Sequence, residues 1–161
     1  MVDIIEALKP AEITAAKELF TEYAASLGVD LCFQGFDEEL ATLPGKYAPP
    51  AGGLFLALAD GIPAGCVGLR PLDPPDTGEL KRLYIRPELR GRGGGRLLTL
   101  RAIARAAEAG YRRIRLDTLP SMTDAQNLYR RLGFRDIPAY RFNPVAGVRY
   151  MELELHKTQG E

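Results

Sequence analysis

One stretch of the chain combines a strand, a glycine- and arginine-rich turn and a helix, and it constrains the fold more than any other. Residues 80–86 read as a strand, residues 87–92 as a short basic turn, and a helix with an apolar face opens at Gly93. The first turn of a helix has backbone N–H groups without intrahelical partners, and the helix dipole favours negative charge there. Glycines allow close approach to the main chain, and arginines bind phosphate oxygens. The stretch therefore predicts a phosphate site. A flexible Arg/Gly linker is the alternative, but such linkers are not flanked by periodic elements.

The spacing of these glycines differs from that of two common phosphate-binding motifs. The P-loop needs a Gly-Lys pair followed by Ser or Thr, and the dinucleotide motif needs G-x-G-x-x-G directly after a strand. Residues 90–95, RGRGGG, fit neither pattern. They resemble the [Q/R]-x-x-G-x-[G/A] signature of the GNAT superfamily of N-acetyltransferases. The resemblance implies that this turn binds the pyrophosphate of acetyl-CoA, which is the cosubstrate. The implied cofactor-binding residues are Leu83, Tyr84, Ile85, Arg90, Gly91, Arg92, Gly93, Gly94, Gly95 and Arg96.

A second segment carries the same resemblance. Residues 125–134, AQNLYRRLGF, are similar to the A-x-x-L-Y-x-[K/R]-x-G-F segment that joins a helix to a strand in that family. Hydrophobic periodicity along the chain predicts the element order β-α-α-β-β-β-α-β-α-β-β. Together these features predict an α/β (α+β) fold of GNAT type. We expect a mixed, mostly antiparallel twisted sheet of six to seven strands, with helices on both faces, in a single domain over residues 1–161.

The region between the first helix and the second strand has little regular patterning. Asp37 is expected to cap a short helix that ends at Leu43. The Pro- and Gly-rich stretch 44–53 reads as a loop. Because long loops on a compact domain often carry binding residues, region 28–53 is the first candidate for selecting an acceptor.

Composition narrows the function classes. The chain has 161 residues with ordinary apolar and charged fractions, which is typical of one globular domain. No apolar run has the length of a membrane span, and no basic segment starts a signal peptide, so we expect a cytoplasmic protein without a membrane partner. Cys32 and Cys66 form neither a disulfide framework nor a metal-binding cluster, and no metal site is expected.

The formal net charge of zero hides an uneven distribution. Residues 1–80 hold four Lys/Arg against thirteen Asp/Glu, a balance of −9, and residues 81–161 hold seventeen against eight, a balance of +9. The basic second half suits an anionic cofactor, and the acidic first half suits either a cationic acceptor or solvated helix faces. Since no basic run is interleaved with aromatic residues, no nucleic-acid partner is expected.

Acetyl transfer to an amine requires a base that removes a proton from the amine. The only histidine, His156, lies near the C-terminus, so the usual histidine base and Ser/His or Cys/His catalysis are disfavoured. The resemblance implies that Glu79, at the start of the central strand, corresponds to the glutamate that serves as general base in histone-type members. Burial would then raise the pKa of Glu79 toward the operating pH. The alternative is a solvated carboxylate paired with Lys81 or Arg82.

The central strand also has a role in the resemblance. Strand alternation places Glu79, Lys81, Leu83 and Ile85 on one face, unless a bulge intervenes. In the family, backbone amides of this strand, here around Leu83 and Ile85, pair with the pantetheine arm of the cofactor. The resemblance further implies that this strand separates from the strand over 112–118 to admit the cofactor.

Tyr129 is the candidate general acid. In related enzymes the tyrosine of this motif lies near the thioester sulfur, and a phenol that is protonated at neutral pH can donate to a departing thiolate. The alternative is an aromatic side chain packed against the sheet. One position departs from the family pattern: where many members carry Asn seven residues before the tyrosine, this chain has Met122.

These features imply an N-acetyltransferase that moves the acetyl group of acetyl-CoA to a primary amine by direct attack in a ternary complex. The acceptor is a small molecule or a peptide, and a homodimer is left open by the resemblance. Two other functions are considered, a non-catalytic acyl-CoA sensor on the same fold and a nucleic-acid-binding domain that uses the basic second half. Secondary candidates for the acceptor pocket, each with a solvated side chain as the alternative, are Arg82, Arg86, Tyr140, Arg141 and Asn143.

Overall fold

A computed structural model describes residues 1–28 and 35–155. Within these residues, seven strands and four α-helices follow the predicted order. Cys32 and His156 lie outside the described residues. The strands are β1 (Val2–Glu6), β2 (Gly53–Ala59), β3 (Ile62–Leu72), β4 (Thr77–Ile85), β5 (Arg113–Thr118), β6 (Arg135–Ile137) and β7 (Arg149–Glu154). The helices are α1 (Pro10–Leu27), α2 (Phe36–Thr42), α3 (Gly94–Glu108) and α4 (Thr123–Arg131).

All seven strands form one sheet with the spatial order β1-β2-β3-β4-β5-β7-β6. Neighbouring strands are antiparallel except β4 and β5, which are parallel because α3 crosses between them. This arrangement confirms the predicted mixed, mostly antiparallel sheet. The parallel pair lies at its centre.

The helices cover the two faces of the sheet, as expected. Leu19 and Phe20 of α1 are fully buried in a core that also contains Phe36 of α2. On the other face, Leu98 and Ala102 of α3 pack in a second core. Each helix buries the apolar stripe that its sequence predicts, so the sheet is held between two hydrophobic layers.

The region between α1 and β2 differs in detail from its prediction. Helix α2 begins at Phe36, and Gly35 before it has a left-handed backbone with φ 70°. The predicted cap at Asp37 is therefore wrong. Asp37 lies in the first turn, where its negative charge interacts favourably with the helix dipole. The predicted loop 44–53 contains a 3-10 turn, Gly45–Tyr47, whose tyrosine is only 2% exposed. Among the described residues, no helix has the length and apolarity to cross a membrane.

Candidate active site

A cleft of about 450 Å³ opens beside β4, in front of the turn that precedes α3. The end of α1 and the start of α4 complete its walls. Eight predicted cofactor-binding residues line it, namely Leu83, Tyr84, Ile85, Arg90, Gly91, Gly93, Gly94 and Gly95. The other two, Arg92 and Arg96, are exposed beside the cleft and do not form its wall.

The turn at the mouth of the cleft depends on two glycines. Gly91 and Gly93 have left-handed backbones with φ 83° and 81°. A Cβ atom would meet nothing within 4 Å at either position, so backbone conformation rather than space requires glycine there. Helix α3 starts at Gly94, and the N–H groups of its first turn lack intrahelical partners. Main-chain donors, the helix dipole and Arg90 therefore meet at one point, and this arrangement fits a pyrophosphate group.

Arg90 and Arg92 differ in position, and this difference predicts a difference in cofactor affinity. Arg90 lines the cleft, and its Nε donates to the carbonyl oxygen of Ile85 at 3.1 Å. Arg90→Ala removes a charge-assisted hydrogen bond to phosphate, and solvent and salt partly screen such a bond at an exposed site. We therefore expect this variant to weaken acetyl-CoA binding about fivefold to tenfold. Arg92→Ala is the matched control and should weaken binding no more than about twofold. Titration calorimetry measures both values, and equal effects of the two variants would contradict this assignment.

A bulge in β4 divides the strand into two parts. Arg82 has φ 62°, and the pairing with β3 passes from Gly68↔Lys81 to Cys66↔Tyr84, so two residues of β4 oppose one of β3. Leu83 and Ile85 pack against the core beneath α3. Arg82 instead reaches Glu39 of α2 on the opposite face. The expectation of one shared face was made for a strand without a bulge. Because the bulge intervenes, Glu79 and Lys81 lie on the face opposite to Leu80, Leu83 and Ile85.

Strands β4 and β5 pair over only three residues, from Thr77↔Arg113 to Glu79↔Arg115. Beyond that point β4 continues to Ile85 and β5 to Thr118 without pairing to each other. The separation implied by the family resemblance is therefore present. The opening starts directly after Glu79, so this side chain lies at its closed end.

Glu79 is fully buried and tightly held. Its Oε1 accepts from Arg70 Nε at 2.9 Å, and its Oε2 accepts from the Tyr140 hydroxyl at 2.7 Å and lies 2.6 Å from Arg141 Nη2. Burial alone would raise the pKa of Glu79, but Lys81, Arg141 and Arg70 outweigh it and hold the pKa at about 2. The expected rise in the pKa of Glu79 is therefore wrong, and so is the alternative of a solvated carboxylate.

Lys81 and Asp117 face each other across the opening, one from β4 and one from β5. Lys81 Nζ lies 3.5 Å from Asp117 Oδ1, and the two side chains are 3% and 7% exposed. Burial lowers the pKa of Lys81 to about 8, although Glu79 and Asp117 act in the opposite direction. The second oxygen of Asp117, Oδ2, is buried and accepts no hydrogen bond within the described part of the chain.

Tyr129 lies on α4, whose first turn lines the cleft. Its side chain is 6% exposed, and its ring packs on Phe134 with centroids 5.5 Å apart. Burial raises the pKa of the Tyr129 phenol, and Tyr23 and Asp117 raise it further, so the phenol is protonated at neutral pH. Tyr23 and Leu128, the neighbour of Tyr129 in α4, line the cleft, whereas Tyr129 itself is not part of its wall. Met122 lines the cleft too, and its Sδ accepts from Thr118 Oγ1 at 3.6 Å.

The secondary candidates do not form one pocket. Tyr140 and Arg141 contact Glu79, whereas Arg82 binds Glu39 and is 3% exposed, so these three are not solvated side chains. Arg86 instead binds Glu22 of α1, and Asn143 accepts from the backbone N–H of Val145.

Sequence reasoning missed three charged residues of the site, Glu39, Arg70 and Asp117. Asp117 shares the polar face of β5 with Arg113 and Arg115, as the alternation of that strand predicts. This alternation was visible in the sequence, but it did not distinguish the aspartate from its neighbours.

Known proteins with similar sequences and folds are acetyltransferases. Residues 16–134 match the acetyltransferase (GNAT) family. An uncharacterized N-acetyltransferase of Schizosaccharomyces pombe is 41% identical over 155 residues, covering 95% of each chain. A GNAT-family acetyltransferase structure from Staphylococcus aureus Mu50 superposes with a TM-score of 0.79 at 22% identity, covering 97% of this chain and 100% of that one. The structure of YncA from Salmonella typhimurium, solved with its cofactor acetyl-CoA, superposes with a TM-score of 0.76 at 20% identity, covering 98% and 96%.

The family match and the curated relative define the class, an N-acetyltransferase of a family that uses acetyl-CoA as cosubstrate. The chain belongs to the acetyltransferase (GNAT) family.

Proposed function

We propose that this protein acetylates a primary amine of a small molecule or peptide by direct attack in a ternary complex. The observation that carries the proposal is the course of the cleft. It runs from the glycine turn before α3 along the unpaired part of β4. The strand opening ends at the buried carboxylate of Glu79, and α4, whose first turn lines the cleft, carries the buried phenol of Tyr129. A carboxylate and a phenol are groups that can move protons.

Two residues have proposed chemical roles. Acetyl-CoA, when bound, supplies a thioester whose acetyl carbon forms a bond to the amine nitrogen while the carbon–sulfur bond breaks. Glu79 takes the proton that the attacking neutral amine must lose. Tyr129 gives its phenolic proton to the sulfur, and solvent exchange returns the proton from Glu79 to Tyr129. The N–H groups of β4 beyond the bulge, around Leu83 and Ile85, hold the pantetheine arm.

Glu79 can act as the base only if its surroundings change. A carboxylate with a pKa of about 2 and three donors around it takes up a proton poorly. Two of these donors, Tyr140 and Arg141, come from the segment between β6 and β7. Withdrawal of Arg141 from Glu79 would remove part of the positive charge that lowers its pKa. Proton uptake by Glu79 therefore requires this segment to move when the acceptor binds.

A thiol-release assay tests the function. The protein is incubated with acetyl-CoA and a panel that spans alkylamines, polyamines, amino acids, aminoglycosides and peptides with a free N-terminus or lysine. We expect amine-dependent release of free coenzyme A together with an acetylated product identified by mass spectrometry. Tight binding of acetyl-CoA without release for any amine would contradict the proposal and favour the non-catalytic sensor.

A further inference from the structure

Asp117 has a carboxylate oxygen that needs a donor. The residue lies on β5 two positions past Arg115, the last residue paired with β4, so it borders the opening between the strands. Its side chain is 7% exposed, and Oδ2 accepts no hydrogen bond from the described residues. A buried polar atom without a partner is costly, and native proteins rarely leave one without a reason. The position therefore suits a ligand that brings an N–H group.

One N–H donor already approaches this oxygen without reaching it. Arg141 Nη1 lies 3.7 Å from Asp117 Oδ2, which is too long for a hydrogen bond, and Nη2 lies 2.6 Å from Glu79 Oε2. The guanidinium thus bridges a carboxylate of β4 and a carboxylate of β5 at the closed end of the opening. Arg141 belongs to the segment between β6 and β7 and not to either of the two strands that it bridges.

The charged side chains around Glu79 and Asp117 determine which kind of ligand can occupy the space beside Asp117 Oδ2. Lys81 lies 3.5 Å from Asp117 Oδ1, and Arg70 binds Glu79. These cations disfavour a further fixed positive charge, so a metal ion is a poor occupant. The described residues also hold no group of three side chains that could bind a metal. A neutral amine fits better, because it donates N–H groups without adding charge, and it is the form that attacks a thioester.

We propose that Asp117 binds the acceptor: its Oδ2 accepts a hydrogen bond from the acceptor amine, which takes the place that Arg141 Nη1 approaches in the free protein. This inference rests on the proposed acetyl transfer and adds the residue that orients the nucleophile. An amine held there lies between Asp117 and Glu79, beside the proposed base. Departure of Arg141 also supplies the change at Glu79 that proton uptake requires.

The variant Asp117→Asn tests this site by separating acceptor binding from cofactor binding. The probe is the amine of the panel that the wild-type protein uses best. The substitution weakens the hydrogen bond that the amine donates to the Asp117 carboxylate. We therefore expect the KM of that amine to rise about tenfold or more, while the Kd of acetyl-CoA stays within about twofold. Glu152→Gln is the matched control, since Glu152 is a half-buried carboxylate bound by Arg115 Nε at 2.8 Å on the neighbouring strand pair. It should leave the KM unchanged.

A second measurement uses the wild-type protein and so does not depend on the folding of the variant. In crystals grown with coenzyme A and the same amine, we expect the amine nitrogen within about 3.2 Å of Asp117 Oδ2 and Arg141 displaced. A nitrogen bound elsewhere, with Arg141 still on Asp117, would overturn the inference, as would an unchanged KM in a folded Asp117→Asn. If the wild-type protein acetylates no amine, the proposed function fails and the amine site with it. If the wild-type protein acetylates an amine and a folded Asp117→Asn uses it with the same KM, the amine site alone is refuted.

Discussion

Replacement of Tyr129 by phenylalanine is expected to lower kcat for acetyl transfer about 100-fold, because a general acid typically contributes a factor of 10² to 10⁴. The substitution removes only the hydroxyl and keeps the ring that packs on Phe134. The Kd of acetyl-CoA should therefore change less than about twofold. Steady-state kinetics and calorimetry measure the two quantities separately.

The control for this substitution is Tyr111→Phe. Tyr111 is another buried tyrosine, 8% exposed, whose hydroxyl donates to the carbonyl of Ala51 at 2.7 Å away from the cleft. Removal of the Tyr111 hydroxyl should lower the free energy of unfolding slightly and leave kcat unchanged. If Tyr129→Phe retained the wild-type kcat, Tyr129 would be a packing residue and the thiolate would take its proton from elsewhere.

Replacement of Glu79 by glutamine should reduce both stability and activity. The pKa of Glu79 is about 2 in the folded protein against an ordinary value of 4.5. A depressed carboxylate pKa stabilises the fold above pH 4.5, and this stabilisation is lost as the pH falls through 2. The shift corresponds to about 3 kcal/mol at neutral pH. We expect Glu79→Gln to lower the free energy of unfolding by about that amount at pH 7, and the gap from the wild-type protein should close toward pH 2.

Denaturant titrations between pH 2 and pH 7 follow the stability of Glu79→Gln, and kcat/KM follows its activity, which should fall at least 100-fold if Glu79 is the base. Glu6→Gln is the comparison, because the pKa of Glu6 is also lowered by an arginine, Arg105, far from the cleft. That variant should lose stability without losing activity. Wild-type activity in a folded Glu79→Gln would limit Glu79 to a structural role.

Local patterns predicted much of this fold. Apolar stripes located α1 and α3, and the alternation of residues 113–118 located β5 and its polar face. Two motifs, each within a short stretch of chain, predicted the phosphate turn and the tyrosine of α4. These features are readable because each depends on residues close together in sequence.

The charged surroundings of Glu79 were not readable in the same way. Tyr140 lies 61 residues after Glu79 in sequence, and their contact depends on how the segment between β6 and β7 folds back over the sheet. The low pKa of Glu79 follows from these long-range partners, so burial alone predicted the wrong direction. Tyr47 was missed for a related reason, since a Pro- and Gly-rich stretch gave no sign that one of its side chains enters the core.

The left-handed residue in β4 also escaped prediction, because an arginine with φ 62° is uncommon and has no local signal. This bulge lets the two halves of β4 contribute to two different parts of the site. Before Arg82, Glu79 and Lys81 contact the charged side chains of Arg70 and Asp117, and after it, residues 83–85 line the cleft. On the proposed roles of the two halves, substitutions before Arg82 should change which amine is used and leave the Kd of acetyl-CoA unchanged, so the two specificities could diverge independently.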